Sequence, residues 1–230
     1  MTTNPFLEGE IMIIDKPLHW TSFDVVKKLR YVIKKQYGIK KIKVGHAGTL
    51  DPLATGLLII CTGKKTKSID QFLTEDKTYT GRIKLGATTP SFDLETNVDK
   101  TYPVPEIDDK LICDLKKKFQ GSVMQVPPIF SAKKIDGKRA YILARENKKV
   151  ELEPKPIFIS KLNLTIKQKD EIHFECTCSK GTYIRSLARD IGFAVKSGAH
   201  LIELRRISSG DFHIKNAKTV DEWIDIIKTS

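Results

Sequence analysis

Two strand-like segments separated by only three residues constrain the fold more than any other feature of the sequence. Residues 157–167 and 171–178 are both predicted strands, and in the second one Ile172, Phe174, Cys176 and Cys178 alternate as one buried face. So short a connection can join only antiparallel neighbours, because parallel strands need a crossover of a dozen or more residues. The sequence therefore predicts a sheet that is mixed rather than purely parallel.

Helices and strands are interleaved along the rest of the chain. Thr21 and Asp24 have the spacing of a capping box, and the residues after them give one apolar helical face, made of Val25, Leu29, Val32 and Ile33. Further helices are predicted at 64–72, at 111–119, from an N-cap at Thr182 to about 195, and at 219–227. Further strands are predicted at 11–14, 57–61 and 78–86. The predicted class is α+β, with a mixed, largely antiparallel central sheet and flanking helices.

Residues 121–156 show little apolar periodicity and contain Pro127-Pro128 among scattered basic side chains. We interpret this segment as an excursion from the core that contacts a polyanion. Its candidate phosphate-binding residues are Lys133, Lys134, Lys138 and Arg139. A solvated loop is the alternative, and composition alone slightly favours it.

The charge balance also indicates a polyanionic partner. The 230 residues include 40 Lys and Arg against 28 Asp and Glu, a net charge of +12. Each contacted phosphate releases counterions from a nucleic acid, so basic proteins suit this partner, although solubility alone is an alternative explanation.

The longest apolar runs, such as 57–61, are too short to cross a bilayer, and the N-terminus shows no secretory signal. We expect no membrane role and a cytoplasmic location.

No convincing metal or cofactor motif is present. The four cysteines form no Cys-x-x-Cys pair and no disulfide-like framework. A zinc site using Cys176, Cys178 and His173 is conceivable, but two cysteines at that spacing cannot easily close a tetrahedron. The segment 62–66 hints at a phosphate loop, yet Leu58 stands where that motif needs its first glycine, and Lys65 replaces the residue that would hold magnesium. We therefore expect neither a metal nor a cofactor.

The stretch most informative about function is Gly45-His46-Ala47-Gly48-Thr49-Leu50-Asp51-Pro52-Leu53-Ala54-Thr55-Gly56-Leu57-Leu58. Its three glycines allow tight turns and the close approach of a ligand. A loop is predicted at 45–56, and Asp51 lies on it just before a buried strand, which makes Asp51 a fixed carboxylate rather than a mobile one. From spacing alone, a structural Asp-Pro turn remains the favoured interpretation.

These fourteen residues resemble the catalytic signature of the TruB family of pseudouridine synthases. Other motifs similar to those of the family follow in order: Asp15-Lys16-Pro17 with Thr21-Ser22, Asp76-Lys77-Thr78-Tyr79, Cys178-Ser179-Lys180-Gly181-Thr182-Tyr183-Ile184-Arg185, and Leu204-Arg205-Arg206. The resemblance covers about residues 9 to 210. It implies a pseudouridine-synthase-like domain that isomerises uridine 55 in the T-loop of tRNA without a cofactor.

The resemblance also implies roles for single residues. Asp51 is expected to add to the target nucleoside, Tyr79 to stack on the flipped uracil, and Arg185 to pair with Asp51. His46 is expected to help fill the gap that flipped bases leave, and the further pocket residues are Lys16, Tyr183 and Leu204. Without the resemblance, Tyr79 would be interpreted as a core aromatic and His46 as incidental. The alternative for Arg185 is an ordinary first-turn helix residue, but a cation there meets the positive end of the helix dipole, which modestly favours a functional role.

The resemblance implies a catalytic domain at 9–215, with the excursion at 121–156 inserted in it and a helical extension at 216–230. Little room is left after Leu204-Arg205-Arg206 for the small C-terminal RNA-binding (PUA-type) domain of many relatives, so a short form is expected. The expected partner is the T-arm of tRNA, with no protein partner evident and a monomeric chain. The same chemistry on another RNA stays open, as does an RNA-binding or chaperone protein without catalysis. The presence of both Asp51 and Arg185 argues against the latter.

Overall fold

The computed structural model describes residues 4–131, 134–135, 138–140 and 152–229. The chain folds as two compact units, one made of residues 1–79 with 204–230 and the other of residues 80–203. It leaves the first unit after Tyr79 and returns to it at Leu204.

The strands are, in chain order, β1 (Ile11–Lys16), β2 (Val44–Ala47), β3 (Ala54–Thr62), β4 (Lys77–Leu85), β5 (Ala87–Thr88), β6 (Lys100–Thr101), β7 (Gly121–Gln125), β8 (Lys134–Ile135), β9 (Lys138–Arg139), β10 (Lys155–Gln168), β11 (Glu171–Cys178), β12 (Ala199–Ser209), β13 (Phe212–His213) and β14 (Lys218–Thr219). The α-helices are α1 (Pro5–Glu8), α2 (Ser22–Gln36), α3 (Ile69–Thr74), α4 (Asp109–Phe119), α5 (Ile184–Ala194) and α6 (Val220–Thr229). Two 3-10 helices cover Gly63–Ser68 and Ile214–Asn216.

The first unit contains parallel and antiparallel strand pairs in the order β14, β1, β3, β12. β1 and β2 both pair antiparallel with β3, whereas β12 pairs with β3 in parallel, with Leu204 opposite Ala54. β3 therefore has neighbours on both edges, and its residues from Leu57 to Cys61 are all fully buried, as expected of a central strand covered on both faces. The mixed sheet with its helices confirms the predicted fold class.

Helix α2 begins where the sequence predicts. The Asp24 N–H donates to Thr21 Oγ1 at 3.0 Å and the Thr21 N–H donates to Asp24 Oδ2 at 2.9 Å, which completes the capping box. Val25, Leu29 and Ile33 are fully buried, and Val32 packs at the margin of the same cluster.

Helix α6, predicted at 219–227, belongs to that core as well. Its buried residues Val220, Ile224 and Ile227 lie in the cluster that also holds the α2 face and β1. The boundary between a catalytic domain at 9–215 and an extension at 216–230 stays a prediction.

The second unit contains the predicted hairpin. β10 and β11 pair antiparallel, with Leu164 opposite Phe174, and the strand order is β4, β11, β10, β7. Ile172, Phe174, Cys176 and Cys178 are buried, which confirms the predicted face. His173 projects to the opposite face, where its Nε2 lies 2.8 Å from Glu171 Oε1. The three residues of the conceivable zinc site therefore do not share one face of the strand.

The predicted excursion at 121–156 is too long at both ends. Gly121–Gln125 forms a strand that pairs antiparallel with β10, with Gln125 opposite Lys155 and Gly121 opposite Ile159. β7 is an edge strand with Ser122 and Met124 exposed. Such a strand needs little apolar periodicity, so its sequence does not indicate a strand.

Two other local predictions are corrected. The predicted loop at 45–56 is shortened to 48–53, because Val44–Ala47 pairs with β3 as a hairpin. Thr182 does not cap the following helix, since its Oγ1 donates to the Ser179 carbonyl at 2.9 Å and Tyr183 occupies the N-cap position.

Within the described residues, no helix is long and apolar enough to cross a membrane.

Candidate active site

The loop that carries Asp51 joins β2 to β3 and is fixed through its backbone. Ser22, buried in the first turn of α2, donates its hydroxyl to the Leu50 carbonyl at 3.1 Å and accepts from the Leu50 N–H at 2.8 Å. The Asp51 carbonyl accepts from the Ala54 N–H at 3.0 Å, which closes a tight turn. The Asp51 main chain therefore has little freedom, as the sequence predicts for this carboxylate.

Arg206, on β12, ties the start of the same loop to the strand β3 that follows it. Its Nε donates to the Leu57 carbonyl at 2.6 Å and its Nη2 to the Gly48 carbonyl at 3.1 Å, and the side chain is buried. Gly48 has φ +90°, and a Cβ there would lie 3.2 Å from Arg206 Nη1, so glycine suits this position. Sequence reasoning did not select Arg206 as a site residue, although it is part of the motif Leu204-Arg205-Arg206.

Lys16 brings a second charge to the Asp51 loop. The side chain is fully buried at the end of β1, and its Nζ donates to the carbonyls of Pro17 at 2.8 Å and Trp20 at 2.6 Å. Burial lowers the pKa of Lys16 from 10.5 to about 8, and the attraction of Asp51 and Asp24 opposes that change while Arg206 adds to it. The structure thus places an ammonium group within the electrostatic reach of the predicted catalytic carboxylate.

His46 lies on β2, directly before the loop. Burial and the Arg206 charge lower the pKa of its imidazole, which favours the neutral ring. Its Nδ1 is buried and has no hydrogen-bond partner among the described residues. A buried ring nitrogen of this kind can accept or donate a hydrogen bond when a ligand enters.

Tyr79 and Leu204 lie on β4 and β12, respectively, and pack against the apolar core of the first unit. Leu204 is paired with Ala54, three residues after Asp51, so it lies at the edge of the catalytic loop. Both side chains are only partly buried. Their expected contacts with uracil stay a prediction.

Arg185 lies in the second unit, in the first turn of α5, where its side chain is almost entirely buried. Its Nη1 donates to the Ser91 carbonyl at 3.2 Å, its Nη2 donates to the Phe130 carbonyl at 2.9 Å, and its Nε lies 3.7 Å from the Asp93 carboxylate. An ordinary arginine in the first turn of a helix would be exposed. The burial of Arg185 therefore argues against the interpretation that it is an incidental helix residue. Its predicted pairing with Asp51 joins residues of the two units and stays a prediction.

The chain around Arg185 is built from turns that a local sequence pattern does not reveal. The Ser91 hydroxyl donates to the Asp93 carbonyl at 3.2 Å and lies 2.8 Å from Thr96 Oγ1. Phe92 adopts φ +63°, and the Arg189 guanidinium lies 4.8 Å from the centre of its ring. Asp93 was therefore missed, because only the folded loop shows that its carboxylate faces Arg185.

Tyr183, at the N-cap of α5, is held by a buried glutamine. The Gln125 amide donates to the Tyr183 carbonyl at 3.1 Å, and the Tyr183 N–H donates to Gln125 Oε1 at 2.8 Å. Gln125 ends β7, so this pair ties the helix start to an edge strand. Sequence reasoning found Tyr183 but missed the residue that positions it.

The predicted phosphate contacts fall largely outside the described structure. Lys133 lies outside the described residues, and so do the side chains of Lys134, Lys138 and Arg139. The main chain of the latter three belongs to the two short strands β8 and β9, in which Lys134 is opposite Arg139. Their contacts with RNA stay a prediction.

Within the first unit, the geometry suits covalent or acid–base catalysis. The carboxylate stands on a fixed main chain within the electrostatic reach of a buried ammonium. The loop follows a strand that carries a buried imidazole, and partly buried Tyr79 and Leu204 supply apolar surface. Among the described residues, no group of three or more His, Cys, Asp or Glu side chains could hold a metal ion.

Comparison with known proteins identifies the class first. Residues 34–184 match the family model for the TruB family pseudouridylate synthase (N terminal domain), and residues 185–229 match the tRNA pseudouridylate synthase B C-terminal domain. A solved structure described as a Cbf5-Nop10-Gar1 complex contains a similar chain, with a TM-score of 0.72 and 25% identity. That match covers 96% of this chain and 54% of the other. By class, the protein is a pseudouridine synthase.

Close relatives then identify the family. The tRNA pseudouridine synthase B of Phocaeicola vulgatus is 53% identical over 223 residues, which cover 96% of this chain and 95% of the relative. The protein of that name from Flavobacterium johnsoniae is 52% identical over 218 residues, covering 94% and 95%. The one from Chlorobaculum tepidum is 42% identical over 221 residues, covering 96% and 91%. The chain belongs to the TruB family.

Proposed function

We propose that this protein isomerises uridine 55 in the T-loop of tRNA to pseudouridine. The observation that carries the proposal is the fixed Asp51 loop in a chain whose relatives, matched over nearly their full length, are named tRNA pseudouridine synthase B. The loop supplies the carboxylate, and the name of the relatives supplies the substrate class.

In the proposed reaction the Asp51 carboxylate adds to the flipped nucleoside, at either the base or the sugar. The C1′–N1 bond breaks, the uracil turns within the pocket, and a C1′–C5 bond forms. The bond between Asp51 and the nucleoside breaks again, which releases the product and restores the free carboxylate. The proton that leaves C5 is balanced by one taken up at N1, so the reaction needs no external oxidant or reductant. The Lys16 ammonium favours the ionised carboxylate that this step requires.

The other predicted residues bind and position the substrate. Tyr79 stacks on the extruded uracil, since a base removed from its helix loses stacking that a flat ring can replace. Leu204 and Tyr183 line the pocket, and His46 helps to fill the gap left by the flipped bases. Arg185 orients the Asp51 carboxylate through two parallel hydrogen bonds.

The T-arm of tRNA is the proposed partner, and the chain acts as a monomer in the cytoplasm. Lys133, Lys134, Lys138 and Arg139 contact the RNA backbone, since the net charge of +12 favours a polyanion and basic residues recur in this segment.

Modified-nucleoside analysis tests the proposed substrate. In tRNA from cells that lack this protein, position 55 should carry uridine, and the purified protein should convert it to pseudouridine in a transcript. A transcript with the T-loop uridine replaced by cytidine is the matched control and should gain no pseudouridine. Unchanged pseudouridine 55 in the deletion strain, with loss at a position in another RNA, would replace this proposal with the same chemistry on that RNA.

A further inference from the structure

A basic groove lies on the first unit, away from the loop that carries Asp51. The second half of α2, the segment 40–43 and the 3-10 helix Gly63–Ser68 form its walls, and it encloses about 680 Å³. Cations dominate its lining, including Arg30, Lys34, Lys40, Lys43 and Lys67. None of the described residues that line it is acidic.

Most of this charge is not neutralised by the protein. Lys64, at the rim, forms an exposed ion pair with Glu8 at 2.6 Å. Among the described residues, no acidic side chain forms an ion pair with Lys34, Lys40, Lys43 or Lys67. Soluble surfaces usually intersperse both signs of charge, and a concave surface of one sign concentrates its field. The electrostatic field of the groove therefore favours the binding of a polyanion.

The groove is held in shape by a turn that glycine makes possible. The Gly63 N–H donates to the Lys43 carbonyl at 2.9 Å, which joins two of the walls. Gly63 has φ +49°, and a Cβ there would lie 2.2 Å from the Leu7 carbonyl oxygen. The segment 62–66, which only superficially resembles a phosphate loop, thus brings lysines from separate parts of the chain to one surface.

Its position relative to Asp51 follows from the geometry of α2. Ser22 holds Leu50 at the start of this helix, whereas Arg30 and Lys34 lie eight and twelve residues further along. At 1.5 Å per residue, these two cations lie about 12 and 18 Å from Ser22 along the helix axis. This spacing separates them from the part of α2 that anchors the Asp51 loop, by a length that the backbone of one bound RNA can span.

We infer that this groove binds phosphates of the substrate RNA outside the flipped nucleotide, as a second contact surface. A single phosphate would leave most of the volume empty, whereas a stretch of sugar–phosphate backbone can meet cations from all three walls. This inference rests on the proposed function for the identity of the RNA.

Charge-removing variants test the groove. The triple variant Lys40→Gln, Lys43→Gln and Lys67→Gln changes exposed side chains of the groove only. The matched control is Lys100→Gln, Lys117→Gln and Lys167→Gln, which removes the same charge from exposed positions of the second unit. The dissociation constant of tRNA is measured at several salt concentrations, and pseudouridine formation is measured at saturating tRNA.

The groove variant should bind tRNA roughly tenfold more weakly at low salt, and its log–log salt slope should fall by about two to three. The rate at saturating tRNA should be unchanged, and the control should stay within about twofold of wild type. Equal losses in the two variants would reduce the effect to net charge and overturn the inference, as would unchanged binding by the groove variant. Because binding is measured separately from turnover, the absence of pseudouridine formation would refute the proposed function and leave the binding result intact.

Discussion

At the scale of single residues, the position of Asp51 depends on neighbours that fix its backbone and charge its surroundings. Ser22 and Arg206 hold the loop, and Lys16 adds a buried positive charge. The fixed main chain limits where the Asp51 carboxylate can lie, and ordering a group in advance lowers the entropic cost of any reaction that uses it.

Asp51→Asn should abolish pseudouridine formation, with a loss of at least about a thousandfold, because the amide is neither a nucleophile nor a base. Folding and tRNA binding should be retained, since the side chains are nearly equal in size. Asp211→Asn is the matched control, an exposed aspartate of the same unit, and it should retain turnover. Turnover by the Asp51 variant, with deamidation excluded, would remove Asp51 from the nucleophile role.

Arg185→Lys should reduce turnover by at least about a hundredfold, since a point charge cannot reproduce a planar fork. It should also lower the free energy of unfolding by about 1 to 3 kcal/mol, because the buried Ser91 carbonyl and the partly buried Phe130 carbonyl lose donors. Arg82→Lys, at a more exposed arginine of the same unit, serves as the control for urea unfolding and turnover. Near wild-type turnover of the Arg185 variant would contradict the predicted pairing with Asp51.

The lowered pKa of Lys16 predicts the direction in which the free energy of unfolding changes with pH. Its pKa in the folded protein, about 8, lies below the unfolded value of 10.5, so the unfolded chain binds more protons between these values. The contribution of Lys16 to stability therefore rises with pH across that window. Relative to Lys16→Met, the wild-type protein should gain about 2 kcal/mol in the free energy of unfolding between about pH 7 and about pH 9.5. Urea denaturation measures this, and a constant difference between the two proteins would contradict it.

At the scale of secondary-structure elements, the parallel pairing of β3 with β12 depends on Gly56. This residue has φ +100°, and a Cβ there would lie 2.3 Å from the Arg206 carbonyl oxygen. Gly56→Ala should lower the free energy of unfolding by about 3 kcal/mol or more, since both backbone strain and a main-chain clash result.

Gly38→Ala is the matched control for this substitution. Gly38 also has a positive φ, of +63°, but a Cβ added there would meet no other atom within 4 Å. Gly38→Ala should therefore lower the free energy of unfolding only by the cost of the backbone conformation, about 1 kcal/mol. If urea denaturation shows equal losses in the free energy of unfolding for the two variants, the close approach of β12 to residue 56 does not contribute to the effect.

The elements that the sequence predicted well are those encoded by near neighbours. The capping box of Thr21 and Asp24 and the alternation from Ile172 to Cys178 are both local patterns, and both are confirmed. β7 was missed because an edge strand carries little apolar signal, and the Thr182 cap was wrong because Ser179 competes for its hydroxyl.

At the scale of the whole molecule, the net charge of +12 predicts strongly salt-dependent RNA binding. Replacing Lys133, Lys134, Lys138 and Arg139 by Gln should weaken tRNA binding and lower the log–log salt slope by roughly one per lost contact, up to about four. A filter-binding titration measures both quantities. The loss should add to that of the basic groove variant if the two surfaces act independently, whereas an unchanged slope would mean that these four residues are only solvated.

The sequence by itself determined the fold class, the main helices and strands, and the family, because periodicity and a contiguous fourteen-residue motif reside in neighbouring residues. Only the tertiary structure decided what surrounds those residues. Arg206 meets Gly48, and Ser91 and Phe130 meet Arg185, across long stretches of chain. The basic groove likewise brings together residues from three separate segments, two of which are joined by the hydrogen bond from Gly63 to Lys43. Contacts of this kind come from packing, which no local pattern of residue types records.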